Sequence, residues 1–219
     1  MCGVNVYIFD TDQLNNQEPE NIKMMLEGIA PVYARKYSRL KDAGNLTGSL
    51  QELAAGILLS RCLGVHEDDE LRLGEHGKPE LVLRDVAFNL SHSGHFVVLA
   101  VADKDVGTVG ADIERADRVR LSVAKRLFSR DVYEAIALEM ERDEKAAGIL
   151  FARHWTACEA RLKLSGAGLG GYAGIKCDYS ETDSDVRYIE LEDSQYIIAI
   201  AINGNINTCE VYKKIVQYY

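Results

Sequence analysis

The chain has 219 residues, of which 47% are hydrophobic and 27% are charged, a composition that is ordinary for globular proteins. This length is enough to bury the core of one large domain or of two small ones. The net charge of −9 argues against a broad basic surface for nucleic acid. Any phosphate-bearing ligand must therefore be held by a local cluster of cations or by a metal ion.

The cysteines and the apolar segments indicate the compartment. The five cysteines are scattered, form no CxxC pair and are odd in number, which argues against a zinc site and against a secreted disulfide framework. The N-terminus lacks a basic region and soon turns polar, unlike a signal peptide. Charged residues interrupt the apolar stretches well short of a membrane span. We therefore expect a soluble cytoplasmic protein without a membrane segment.

The first half of the chain is predicted to run from a strand through helices to several short strands. Residues 3–9 (GVNVYIF) are strongly β-prone, a helical stretch begins near Pro19, and another covers about 32–41. The helical spacing of apolar residues predicts a helix at roughly 49–63 that ends at Gly64. Short alternating runs predict strands at 71–73, 80–83, 87–91, 96–102 and 106–113. We expect the last two of these strands to form a hairpin.

The second half repeats this order of elements. Ser129 is a suitable N-cap for the helix that follows it, and a long helix at about 145–164 ends in the glycine-rich loop 166–174. Strands are predicted at 175–179, 186–191, 196–202 and 209–215. We therefore predict an α+β protein of two similar halves, residues 1–105 and 106–219, rather than an alternating βαβ parallel sheet.

The first segment that suggests chemistry is VGADIE, which ends at Glu114. On a strand, Asp112 and Glu114 point to the same side, while Ile113 packs on the other. Two carboxylates this close repel each other unless a cation lies between them, and Mg²⁺ prefers such oxygen ligands. The alternative is an ordinary strand end that meets solvent. Taken alone, this segment favours the ordinary strand end.

Two further segments place polar groups in otherwise apolar elements. On the predicted helix WTACEARLK, Glu159 and Lys163 stand four residues apart and share a face with Trp155. Taken alone, this helix is better explained by a surface ion pair beside a core tryptophan. In FNLSHSG, His92 lies between two serines and could donate to a phosphate, although a histidine at a turn is more often structural.

Together these segments resemble the Sfp-type 4′-phosphopantetheinyl transferases. The motifs Gly77-Lys78-Pro79, FNLSHSG, VGADIE and WTACEARLK occur in the family's order and at compatible spacing, within about residues 70 to 172. Four such motifs seldom arise together by chance. The resemblance implies a fold of two similar α+β halves in a pseudo-twofold arrangement, with the active site between them.

The resemblance also implies the reaction. The enzyme would transfer the 4′-phosphopantetheine arm of coenzyme A to a serine of an apo acyl or peptidyl carrier protein and release 3′,5′-ADP. Asp112, Glu114 and Glu159 would hold the Mg²⁺ that bridges the pyrophosphate of coenzyme A. Glu159 would be the base, directly or through a metal-bound water, and Lys163 would contact the pyrophosphate.

The remaining contacts to coenzyme A are implied in the same way. His92 would contact a phosphate, with Ser91 and Lys78 around the nucleotide. Arg35 and Lys36 belong to a basic cluster that would reach the 3′-phosphate or is simply a solvated helix face. We expect the protein to be a monomer whose partners are coenzyme A and a carrier protein. The expected docking surface for an acidic carrier, with a solvated helix as the alternative, is Arg115, Arg118, Arg120, Lys125 and Arg126.

Some positions depart from the family's pattern. Cys158 stands where members usually carry a lysine before the helix glutamate, so that a cation near the phosphates is missing, and Arg161 is the residue that could compensate. Gln51 and Glu52 stand where an arginine is frequent, and Ala167 replaces a lysine of the glycine-rich loop. Two alternatives therefore stay open: a non-catalytic member of the fold that binds a nucleotide or a carrier protein, and a metal-dependent phosphohydrolase.

Overall fold

The computed structural model describes residues 3–74, 77–83, 86–166, 177–180, 182–191 and 195–218. They form three β-sheets, and the two larger sheets lie between two groups of helices. The helices are α1 (Pro19–Glu27), α2 (Pro31–Asp42), α3 (Leu46–Leu63), α4 (Leu121–Leu127), α5 (Arg130–Arg142) and α6 (Glu144–Ser165). The strands are β1 (Gly3–Asp10), β2 (Leu71–Leu73), β3 (Pro79–Leu81), β4 (Ala87–Ser93), β5 (Phe96–Ala102), β6 (Val109–Arg115), β7 (Val186–Ile189), β8 (Tyr196–Ile202) and β9 (Glu210–Val216). The predicted α+β class is confirmed.

The first sheet has the strand order β4-β5-β1-β9. Strand β1 is antiparallel to β5, with Val4 opposite Ala102, and parallel to β9, with Val4 opposite Val211. The strand β9, which lies within the predicted C-terminal half 106–219, thus pairs with the strand nearest the N-terminus. Strands β2 and β3 form a separate two-stranded sheet.

The second sheet has the order β6-β8-β7 and is antiparallel throughout. The predicted hairpin between 96–102 and 106–113 is therefore wrong. Strand β5 already has β4 and β1 on its two sides, and β6 pairs with β8 instead, with Val109 opposite Ile202. Gly107 in the connection has φ +80°, a conformation that favours glycine and allows the chain to turn away from β5.

The core is built from the alternation of side chains along the strands. Val6, Val98 and Ala100 of the first sheet pack against Ile113 and Ile200 of the second. The opposite face of the first sheet packs on α2 and α3, and the opposite face of the second sheet packs on α6. The order of layers is therefore helices, first sheet, second sheet, helices. In this arrangement each of the two sheets buries both of its faces.

The helix ends follow local side-chain chemistry. Helix α3 begins earlier than predicted because the Asn45 side chain accepts a hydrogen bond from the Gly48 N–H. Ser129 caps α5 as predicted, accepting from the Val132 N–H at 3.3 Å. Helix α6 ends at Gly166, with φ +69°. No helix in the described ranges has both the length and the apolarity to cross a bilayer.

Two predicted features fall wholly or partly outside the described residues. Of the glycine-rich loop 166–174, only Gly166 is described, and of the predicted strand 175–179, residues 177–179 are described and form no strand.

Candidate active site

Strand β6 and helix α6 approach each other closely enough to share side chains. At Gly110 a Cβ atom would collide with the carbonyl oxygen of Ala160, so glycine allows the close contact. Because side chains alternate along β6, the neighbours Asp112 and Glu114 point the same way as Gly110, toward α6. The acidic pair therefore faces the helix that carries the WTACEARLK motif.

The tightest cluster joins Asp112, Ser91 and Lys163. Asp112 is 5% exposed, and its Oδ1 accepts hydrogen bonds from Lys163 Nζ at 2.6 Å and from Ser91 Oγ at 2.8 Å. Lys163 Nζ lies 2.8 Å from Ser91 Oγ as well. The other carboxylate oxygen, Oδ2, is buried and has no hydrogen-bond partner among the described residues. A buried carboxylate oxygen of this kind is costly to leave unpaired, and its donor chemistry fits a divalent cation.

Glu114 lies in a mixed polar and aromatic environment. Its Oε1 accepts from Trp155 Nε1 at 3.1 Å and from the Arg120 guanidinium at 3.4 Å, and Ser93 Oγ donates to Oε2 at 3.4 Å. Burial raises the pKa of the Glu114 carboxyl, and the negative charge of Asp112 raises it further, whereas Trp155 and Arg120 lower it. A cation held between the two carboxylates would relieve their repulsion.

Glu159 lies half-buried on α6, four residues after Trp155 and four before Lys163. Helical spacing therefore places all three on the face that meets β6. In the described chain, however, the three predicted metal ligands do not form a group with all ligand atoms within 4.8 Å of one another. Asp112 and Glu114 instead each contact a cation, Lys163 and Arg120.

A different group of side chains does bring its ligand atoms close together. The ligand atoms of Asp10, Asp12 and His95 all lie within 4.8 Å of one another, where the end of β1 meets the β4–β5 turn. Asp12 is exposed, and the other two are half-buried. Exposed acidic groups are common without a bound ion, so this group by itself does not indicate a site.

His92 lies on the opposite face of β4 from Ser91. Although His92 has an exposed edge, the atoms packed around its ring remove part of its hydration, and this lowers its pKa. The charge of Lys163 also lowers the pKa, while the charges of Glu52 and Asp112 raise it. The ring is thus electrostatically coupled both to the acidic cluster and to α3.

The two basic residues predicted to contact coenzyme A from α2, Lys36 and Arg35, form different ion pairs. Lys36 pairs with Glu52 at 3.3 Å, and therefore lies on the side of the molecule where Glu52 influences His92. Arg35 points elsewhere, because its guanidinium pairs with Asp68 at 2.6 Å. The structure brings Lys36 toward the His92 side and leaves Arg35 in a separate ion pair.

Lys78 lies at the junction of β6 and α6. Its Nζ donates to the carbonyl oxygens of Val109 and Lys163, both at 3.0 Å. Burial lowers the pKa of Lys78, and the charge of Glu80 opposes this effect. Lys78 thus contacts the backbone of helix α6 at Lys163, and these two bonds tie β6 to α6.

Cys158, which replaces the family's lysine, and Arg161, which was expected to compensate, do not face this site. Cys158 is fully buried among core residues such as Phe151, and it forms a disulfide with Cys177. The expectation that Arg161 compensates for a missing cation is wrong. Arg161 is buried and pairs with Asp183 at 2.8 Å and with Asp185 at 2.7 Å, so α6 presents it to the segment before β7.

A cavity of about 380 Å³ opens beside Glu114. Its walls include Arg115, Arg118, Arg120 and the indole of Trp155, and the Arg120 guanidinium lies 4.8 Å from the centre of the Trp155 ring. Three of the five basic residues predicted to dock a partner therefore line one cavity next to the acidic pair. The predicted role of Arg120 did not include its contact with Glu114, which only the fold reveals.

Comparison with known proteins gives consistent matches. The model of the 4′-phosphopantetheinyl transferase superfamily matches residues 108–206, which include β6 and α6. The chain is 38% identical over 158 residues to 4′-phosphopantetheinyl transferase Sfp of Bacillus subtilis (strain 168), covering 71% of this chain and 67% of that protein. It is 39% identical over 167 residues to 4′-phosphopantetheinyl transferase psf-1 of Bacillus pumilus, covering 72% and 68%. It is 40% identical over 118 residues to 4′-phosphopantetheinyl transferase AcpT of Salmonella typhi, covering 52% and 57%.

Proposed function

The chain belongs to the Sfp-type 4′-phosphopantetheinyl transferases, and we propose that it transfers the phosphopantetheine arm of coenzyme A to a serine of a carrier protein. We propose that the reaction depends on Mg²⁺ and releases 3′,5′-ADP. The observation that carries the proposal is the cluster around Asp112, in which one buried carboxylate oxygen has no partner among the described residues. The other oxygen is held by Lys163 and Ser91. The lysine that we propose to bind phosphate and the carboxylate that we propose to bind the metal ion are thus adjacent.

Asp112, Glu114 and Glu159 are the residues that would hold Mg²⁺. When bound there, the ion would neutralise negative charge on the pyrophosphate. Lys163 supplies a second positive charge at the same place, and its ammonium group can donate to phosphate oxygens as well as to Asp112. His92 is assigned to a phosphate of coenzyme A, with Ser91 and Lys78 near the nucleotide and with Lys36 and Arg35 toward the 3′-phosphate.

In the proposed transfer the serine hydroxyl of the carrier attacks the β-phosphorus of coenzyme A. A new bond forms between the serine oxygen and phosphorus, and the bond from phosphorus to the 3′,5′-ADP oxygen breaks. Glu159 accepts the hydroxyl proton, directly or through a water molecule. Lys163 stabilises the charge that develops on the leaving oxygen.

The carrier is proposed to approach the cavity beside Glu114. Carrier domains are typically acidic around the modified serine, and the cavity wall supplies Arg115, Arg118 and Arg120. Lys125 and Arg126 are exposed on α4 nearby in the chain. We further propose that the protein is cytoplasmic. We also propose that it acts as a monomer, because β4, β6 and α6 supply the acidic cluster from a single chain.

The test is intact-mass spectrometry of apo acyl and peptidyl carrier proteins incubated with the protein, coenzyme A and Mg²⁺. A gain of one phosphopantetheine mass that EDTA abolishes supports the transferase. Coenzyme A binding without any gain on either carrier class would favour the non-catalytic alternative. Release of 3′,5′-ADP in the absence of a carrier would favour the phosphohydrolase.

A further inference from the structure

Two edge strands meet at the centre of the molecule without pairing through their backbones. Strand β4 is the edge of the first sheet, and β6 is the edge of the second. The N–H groups on the open side of an edge strand need hydrogen-bond acceptors when the strand is buried. Residues 109–113 of β6 are all buried, so the acceptors for this edge must come from the protein.

The acceptors are side chains of β4, one from every second residue. The bonds run from Ala111 N–H to Asn89 Oδ1 (2.9 Å), from Ile113 N–H to Ser91 Oγ (3.3 Å) and from Arg115 N–H to Ser93 Oγ (3.3 Å). We call these three bonds the β4 ladder. The side chains in it share one face of β4, because strand residues alternate in direction.

The residues of β6 between the rungs are Asp112 and Glu114. Each carboxylate therefore has a fixed backbone on both sides. The two serines also bond the carboxylates themselves: Ser91 Oγ donates to Asp112 Oδ1 at 2.8 Å, and Ser93 Oγ lies 3.4 Å from Glu114 Oε2. A hydroxyl can accept from the backbone and donate to a carboxylate at the same time, which a carbonyl oxygen of a paired strand could not do.

We propose that Asn89 and Ser93 are positioning residues for the transfer reaction, because with Ser91 they hold the β6 edge and so place Asp112 and Glu114 for the divalent cation. The inference rests on the proposed function for its consequence in catalysis. Asn89 is 5% exposed and anchors the buried end of the ladder. Ser93 is half-buried and holds the end at which Glu114 lies.

Ser93 offers the cleaner variant because it lies at the less buried end, where loss of one hydroxyl should leave the fold intact. Ser93→Ala removes both bonds, whereas Ser93→Thr keeps the hydroxyl. Ser38→Ala is the control for removal of a serine hydroxyl elsewhere, since Ser38 is exposed on α2 and donates to the Ala34 carbonyl oxygen of its own helix.

The first readout needs no substrate. Amide hydrogen exchange by NMR should become about fivefold faster at Arg115 in Ser93→Ala, the change expected when one hydrogen bond of ordinary strength is lost. The Ala111 amide should keep its rate in that variant. Asn89→Ala should reverse the pattern, with faster exchange at Ala111 and little change at Arg115.

The second readout is cation binding. Titration calorimetry with Mg²⁺ in the presence of coenzyme A should show about tenfold weaker binding for Ser93→Ala, the usual effect of removing a residue that orients a metal ligand. The Mg²⁺ concentration for half-maximal transfer should rise similarly, with kcat at saturating Mg²⁺ nearly unchanged. Ser93→Thr and Ser38→Ala should match the wild type within about twofold.

Wild-type exchange at Arg115 and wild-type Mg²⁺ affinity in Ser93→Ala would overturn the inference. So would equal losses in Ser93→Ala and Ser93→Thr, because then the hydroxyl is not what matters. These outcomes differ from failure of the proposed function, in which the wild-type protein itself transfers nothing to a carrier while the amide exchange pattern is unaffected.

Discussion

Lys163 Nζ lies 2.6 Å from Oδ1 of Asp112, and this ion pair joins two segments that are 51 residues apart in the chain. It connects the motif on β6 with the motif on α6 and brings a cation to the only carboxylate in the described chain that has a buried oxygen without a partner. The same lysine is proposed to contact the pyrophosphate. Lys163 thus helps to hold the acidic cluster and, in the proposed mechanism, also acts in the reaction.

Lys163→Met should therefore lower both activity and stability. The variant leaves the buried Asp112 carboxylate without its cation, which should cost about 1–3 kcal/mol of unfolding free energy at neutral pH. Denaturant unfolding of the variant checks this value. The double variant Lys163→Met/Asp112→Asn should recover part of the stability but none of the transfer activity. Equal stability of Lys163→Met and the wild type would show that the ion pair contributes nothing to folding.

Glu114→Gln is the most direct test of the proposed metal site. The substitution keeps the size of the side chain and removes its charge, so transfer to a carrier should fall by about two orders of magnitude or more. The fold should be retained, as checked by circular dichroism. The measurement is the initial rate of transfer to the carrier over a range of Mg²⁺ concentrations. Near-normal Mg²⁺-dependent transfer by this variant would remove Glu114 from the site.

Position 158 tests the packing of α6. Since Cys158 is fully buried among apolar side chains, Cys158→Lys should not restore a phosphate contact but should destabilise the protein by about 3 kcal/mol or more, because a buried charge would have no partner. Cys158→Ala is the matched control, since it also removes the disulfide with Cys177 but introduces no charge. Thermal melts of both variants make the comparison. A lysine variant as stable as the alanine variant would mean that this side chain reaches solvent.

His154 should make stability depend on pH. Burial lowers the pKa of His154, the charge of Arg153 lowers it further, and Asp178 and Asp183 raise it. Its Nδ1 accepts a hydrogen bond from the Tyr179 N–H at 2.9 Å, which requires the neutral ring.

Because the pKa of His154 is lower in the folded state than in the unfolded state, its contribution to stability is complete above the unfolded value of about 6.5. That contribution should be lost as the pH falls below this value and through the folded pKa. His154→Gln, which can still accept from the Tyr179 N–H, should show a smaller loss of unfolding free energy between about pH 7 and pH 5. Parallel stability curves for the two proteins would exclude His154 as the source.

The arginine-lined cavity leads to a prediction about the carrier. Arg118→Glu should raise the KM for an acidic carrier by about tenfold and leave the KM for coenzyme A nearly unchanged, because the reversed charge repels only the carrier. The effect should weaken at high salt. Lys23→Glu on α1 is the matched charge reversal, at an exposed position on another helix. Equal KM values for the carrier in the two variants would remove Arg118 from the docking surface.

The parts of the site that could be predicted depend on local patterns. Alternation along VGADIE predicted that Asp112 and Glu114 share a side, and both point toward α6 in the structure. Helical spacing likewise predicted the common face of Glu159 and Lys163. These relationships need only the period of a strand or a helix. The predicted ligand set itself stays a prediction.

The errors concern contacts between distant segments. The hairpin was inferred because the two strands are consecutive in the chain. In the structure, β5 pairs with β4 and β1 on its two sides, and the local sequence carries no signal for this pairing. Arg161 was expected to compensate for the missing cation because it lies about one helical turn after Cys158, near the same face. Its actual partners, Asp183 and Asp185, belong to a segment that follows α6. Asn89, Ser91 and Ser93 alternate with other residues in the sequence. The reason for this pattern is visible only in the structure, where the three side chains accept hydrogen bonds from β6 of the second sheet.

The parallel pairing of β1 with β9 has a consequence for biosynthesis. Strand β1 is synthesised before β9, and residues such as Val4 reach their partners, here Val211, only when all the segments between the two strands have left the ribosome. Until then one side of β1 is an open strand edge, which invites pairing with other chains. A ribosome that stalls before β9 would release a product with this edge exposed, and chaperones that shield nascent strands should matter more for this protein than its size suggests.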